Sequence, residues 1–145
     1  MANEKPQNFE NHTRQVPLFA AGQLVLMVNL VGRLVDLRHG ISFGSVMDVL
    51  VGFVLIVLFV VARNSTLAVQ NRVIRLEMRL RLAKLLPSDL QARIPEFTLD
   101  QLISVRFASD AELPALARKV LDEKMNDRKA IKRQIKDWQA DWLRA

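Results

Sequence analysis

Cysteine is absent from these 145 residues, histidine occurs twice, and glycine and proline occur five times each. The missing thiols remove disulfides, thiolate metal sites, iron–sulfur clusters and cysteine nucleophiles together. The few glycines and prolines stand at ordinary punctuation points, which argues against a low-complexity linker beyond roughly the first dozen residues. Catalytic signatures are missing as well: there is no Walker loop, no G-x-G-x-x-G, no H-E-x-x-H and no G-x-S-x-G. Acidic pairs do occur, at Asp122/Glu123 and Asp137/Asp141, but their spacing suits solvated helix surfaces. Arg133 and Arg144 lie close enough in sequence to neutralise the second pair. The expectation is a non-catalytic chain with no cofactor and no metal.

Net charge is lacking over the first 62 positions. Lys5, Arg14, Arg33 and Arg38 are balanced there by Glu4, Glu10, Asp36 and Asp48, so the formal charge of +6 falls on the remainder. Such a basic part calls for anionic partners: lipid headgroups, nucleic acid or an acidic protein surface. What the first part has is hydrophobic length. From Val49 to Ala62 no side chain is polar, and extension back to Ile41 gives about 22 residues, roughly 33 Å of helix, enough to cross a bilayer. A weaker candidate, 17–35, carries Gln23, Asn29 and Arg33, the last near its far end where a long side chain reaches the interface. A cleaved signal peptide fits poorly, because the leader is mixed in charge and polar VDLRHG follows the apolar stretch.

These features predict an all-α fold: a two-span transmembrane helical hairpin (spans 17–35 and 41–62) with a C-terminal cytoplasmic helical domain. A polar cytoplasmic leader, 1–16, precedes the hairpin; a basic stalk helix, 63–86, and a small helical domain, 87–145, follow it. Arg63, Arg72, Arg75, Arg79, Arg81 and Lys84 against the single acid Glu77 place both termini in the cytoplasm and the 36–42 loop outside. His12 and His39 then lie on opposite sides and share neither a metal nor a proton. Antiparallel pairing sets Arg33 level with Asp48, an intramembrane ion pair that offsets the cost of a lone aspartate. Its structural role is weighed against an ion or proton site, which would require an oligomeric transporter. Gly22, Asn29, Gly44 and Gly52 form the expected helix–helix seam, small residues allowing close approach and the amide bonding across it.

Glycine and proline are absent between Phe53 and Leu86, so the second span either continues as one rod or is restarted by a cap at Asn64–Thr66. Val69, Val73, Leu76, Leu80 and Ala83 step by four and three, a heptad seam. Ile74, Met78, Leu82 and Leu85 form a second stripe. This apolar surface calls for cover by another copy, a partner or the chain's own C-terminal helices. Arg63, Arg72, Arg75 and Arg79 are candidate contacts for anionic lipid. Capping-box spacings at Ser88/Gln91, Thr98/Gln101 and Ser109/Glu112 predict helices over about 89–94, 99–107 and 110–125, with a fourth from Asn126 to the end. On that last helix Trp138 and Trp142 share a stripe with Ile131 and Ile135, beside Lys132, Arg133 and Lys136. The stripe suits a core. It also admits a partner or self-association face, or nucleic-acid binding through phosphate contacts and stacking.

Four stretches, QNFENHTRQVP (Gln7–Pro17), VQNRVIRLEMRLRLAKLLP (Val69–Pro87), RFASDAELP (Arg106–Pro114) and the IKxxIxxWxxD pattern (Ile131–Asp141), resemble a family of small two-span bacterial membrane proteins catalogued only as a domain of unknown function. The resemblance implies the bacterial cytoplasmic membrane and supplies no activity, cofactor, partner or site residue. The expected role is a membrane-anchored interaction or scaffold protein, an accessory subunit of a larger membrane complex among its forms. Its partners would be the anionic bilayer and another membrane protein or a second copy. A membrane-tethered nucleic-acid binder and a minimal oligomeric transporter are the alternatives.

Overall fold

The computed structural model describes residues 8–10 and 17–140; the rest of the leader, together with Asp141, Trp142 and Arg144, lies outside the described residues. Among the described residues the regular structure is all helical, and the one β contact is an isolated bridge between Ala108 and Trp138. Two helices, α1 (Pro17–Asp36) and α2 (Phe43–Leu85), are long and apolar enough to cross a membrane. Four short helices follow: α3 (Ser88–Gln91), α4 (Leu99–Val105), α5 (Leu113–Asp122) and α6 (Arg128–Arg133). The chain divides into two compact units, Gln15–Leu67 and Ala68–Ala145, the second joined by the leader residues Asn8–Glu10.

In the first unit α1 and the beginning of α2 run antiparallel. A short 3-10 turn, Leu37–His39, ends at Gly40, whose φ of +150° suits a residue without a side chain. Ser42 then starts α2 through a reciprocal pair of bonds: its hydroxyl accepts from the Ser45 amide at 3.1 Å, and Ser45 Oγ accepts from the Ser42 amide at 2.9 Å. At the other end Phe19 stacks on Phe59, with ring centroids 4.5 Å apart. α2 is unbroken over 43 residues. Thr66 does not cap a new helix, because its hydroxyl donates to the Ala62 carbonyl one turn back at 3.0 Å.

The second unit is built on the C-terminal part of α2. Ile74, Met78, Leu82 and Leu86 recur every four residues and are buried against Leu90, Phe97, Leu102, Val105, Leu113, Val120 and Ile131. The heptad row is the other side: Val69, Val73, Leu76 and Leu80 are exposed. Gln91 donates through Nε2 to the carbonyls of Ala83 and Leu86 at 3.1 and 2.8 Å, satisfying acceptors that the end of α2 leaves free.

Of the three capping boxes, the one at Thr98 and Gln101 forms in full. Pro87 rather than Ser88 precedes α3, and no side chain caps it. Helix α5 begins at Leu113, later than the spacing suggests, because Glu112 is used elsewhere. Its carboxylate accepts from the amides of Lys136 and Asp137 at 3.0 Å each. The predicted helix from Asn126 to the end is corrected: α6 stops at Arg133. The following segment is instead held by the Ala108–Trp138 bridge, in which Ser109 N–H donates to Asp137 O and Gln139 N–H to Phe107 O. Ladder bonds to a neighbouring segment cannot coexist with a continuing helix there.

Candidate functional site

Arg33, near the end of α1, donates from Nη1 to Asp48 Oδ2 of α2 at 2.8 Å. The antiparallel register brings these residues to the same level, as it does Leu30 and Gly52. A methyl group added at Gly52 would meet Leu30 Cδ1 at 3.4 Å and Asn29 Oδ1 at 3.7 Å. Gly22 lies equally close to Phe59, 3.3 Å from a built Cβ. Gly44 is different: the nearest atom to its built Cβ is Ser42 Oγ at 3.8 Å, a neighbour on its own turn rather than on α1. The guanidinium of Arg63 lies 5.3 Å from the centre of the Phe19 ring, a cation–π contact.

In the second unit Arg72, Arg75, Arg79 and Lys84 are exposed on the same helix as the open row Val69, Val73, Leu76 and Leu80. This is a stripe of aliphatic surface beside positive charge. Arg81 behaves differently. It donates from Nε to Asp110 at 2.8 Å, from Nη1 to Arg106 O at 2.9 Å, and from Nη2 to Ala108 O at 2.6 Å and Gln139 Oε1 at 2.7 Å. It is therefore a clamp between α2 and the Ala108–Trp138 bridge. The signal in the sequence is its place beside Met78 and Leu82, on the edge of the buried stripe.

The aromatic and basic cluster of the C-terminal segment is divided: Lys132 is buried and Trp138 half-buried, whereas Arg133 and Lys136 are exposed. Trp138 packs on Phe107 with centroids 5.2 Å apart, and its indole N–H donates to Ile135 O. Lys132 is buried with its ammonium 5.1 Å from the Phe107 ring centre. Arg133 instead lies over Phe9 of the leader, 5.4 Å from the ring centre.

Ion pairs fasten the remaining elements. Arg118 bonds to Asp89 at 2.7 Å, joining α5 to α3 and holding the Asp89 carboxyl below its ordinary pKa. Arg93 bonds to Asp122 at 2.7 Å and to Glu96. The Asp122 bond leads in raising the Arg93 pKa. Arg128 pairs with Asp100, and Asp127 caps α6 by accepting from Lys129 and Ala130. Among the described residues no group of three or more His, Asp or Glu side chains converges to hold a metal ion.

The model of a family of unknown function, DUF6526, matches residues 1–145. No curated protein and no solved structure matches the chain.

Proposed function

The chain belongs to the family of unknown function DUF6526, and from that premise we propose a non-catalytic, membrane-anchored interaction protein. In this reading α1 and residues 43–62 of α2 cross the bilayer as a hairpin, and the helical unit that follows is a cytoplasmic scaffold domain. The carrying observation is outward-facing apolar surface. No residue of α1 is buried, and Leu50, Val51, Phe53, Val54, Leu55 and Leu58 of α2 are exposed. Helices with that much uncovered hydrocarbon are stable in lipid and costly in water.

The distribution of basic residues supports cytoplasmic termini, and the Phe9–Arg133 contact agrees, since two crossings return the chain to the side of its leader. Arg63, Arg72, Arg75 and Arg79 would meet anionic headgroups. Arg33 and Asp48 would neutralise each other within the membrane, a structural pairing that the 2.8 Å bond favours over transport. The burial of Lys132 and the packing of Trp138 likewise favour a core role over nucleic-acid binding. The bacterial cytoplasmic membrane is the setting implied by the resemblance.

Because the chain has no native cysteine, single-cysteine variants test the topology without background. In intact cells a membrane-impermeant maleimide should label H39C and spare E123C, which should label only after permeabilisation. The protein should also stay in the pellet at alkaline pH. Release to the supernatant, or equal labelling of both variants in intact cells, would refute the reading.

A further inference from the structure

We propose that the row Val69, Val73, Leu76 and Leu80 binds the same row of a second copy of this chain, in parallel and in register. The inference rests on the membrane-anchored reading above, which gives every copy one orientation. The row is exposed while the buried stripe of the same helix is occupied by the chain's own core, so among the described residues α2 has a second apolar side that its own unit leaves uncovered.

Spacing and residue type select the occupant. Val73 and Leu80 take the a positions of a heptad, and Val69, Leu76 and Ala83 the d positions. A β-branched residue at a followed by leucine at d, as in Val73 and Leu76, favours two parallel strands. Arg72 and Arg79 then fall at g, and Glu77 and Lys84 at e. Parallel pairing sets Arg72 of one copy against Glu77 of the other, twice per dimer. Antiparallel pairing would set arginine against arginine. The like pair Arg79 and Lys84 lies at the end of the row, where long side chains turn outward into solvent. Four side chains are too small a contact to hold two free proteins together. Anchoring in one membrane supplies the missing effective concentration.

Cross-linking of the full chain in its membranes tests this. V73C and L76C should oxidise to disulfide dimers, whereas R75C, also exposed but off the row, should do so several times more slowly. Adding E77R to V73C should cut the dimer yield about fivefold, as two attractive pairs become repulsive, and adding R72E as well should restore it. Equal cross-linking at all three positions would mean random collision and overturn the proposal. So would cross-links only to a foreign protein, or monomers whose row is shielded from water-soluble maleimide by lipid. Protein in the membrane pellet without cross-links would overturn the dimer and leave the anchor standing. Protein in the supernatant would defeat the anchored reading itself.

Discussion

Leu80 and Leu82 are two positions apart on one helix, yet one is 64% exposed and the other 0%. Truncating each to alanine removes the same atoms, so any difference in cost reports the environment. At Leu82 the lost transfer free energy, about 0.8 kcal/mol for each of roughly three carbon groups, adds to a cavity among Met78, Leu86 and their neighbours. The expected cost of L82A is about 2–5 kcal/mol, against at most about 0.5 kcal/mol for L80A in dilute detergent, where copies are separated. For a cooperative unit of this size each kcal/mol moves the melting midpoint by about 4–8 °C, so L82A should fall by roughly 10 °C or more. The near-ultraviolet circular dichroism of Trp138, packed on Phe107, reports this transition directly. Should L82A fail to fold, L82V gives a smaller loss of the same sign. Equal midpoints for L80A and L82A would refute the assignment of the buried stripe.

R33Q or D48N alone should strand a charge in an apolar segment at a cost of about 2–3 kcal/mol, seen as reduced alkali-resistant protein, while the double change should recover most of the loss. T98A removes one half of the capping box on α4 and should cost about 1 kcal/mol in the same melting experiment. R81K keeps the charge but cannot reach four acceptors in the same fork, and should destabilise the unit by about 2 kcal/mol with faster amide exchange at Ser109 and Gln139. The Asp89 carboxyl is held below its ordinary pKa, chiefly by the Arg118 hydrogen bond, so its stabilising effect is complete above about pH 4 and disappears as pH falls through the lowered folded value. D89N should therefore be less stable than the parent at neutral pH and converge with it in acid; a gap that persists in strong acid would contradict the linkage.

The helical class and the two long apolar helices were readable from hydrophobic run length, and the Thr98 start from its paired side chains. The stripe Ile74, Met78 and Leu82 was readable as apolar but not as the side its own domain would cover. Both rows satisfy helical spacing, and the choice depends on segments far along the chain. Glu112 escaped for a similar reason: its spacing from Ser109 fits a local cap, while its carboxylate bonds amides of Lys136 and Asp137 that no nearby residue announces. The end of α6 is likewise tertiary, because the Ala108–Trp138 bridge outweighs the helical periodicity of IKRQIKDW.

The Arg81 clamp sets an order of events during synthesis. Its bond to Gln139 joins residues 58 apart, and Ile131 and Ile135 must also arrive before the stripe on α2 is covered. At about 5–20 residues per second, the ribosome takes several seconds to deliver them. Throughout that interval the outer row is bare and the inner stripe has only the earlier segments, with Leu90, Phe97 and Leu102, to cover it, although the preceding helical hairpin is already complete. The nascent chain therefore passes through a stage with its hairpin formed and its helical unit open. Sticking or premature cleavage is most dangerous then, and the packing of Leu90, Phe97 and Leu102 on the stripe is the earliest protection.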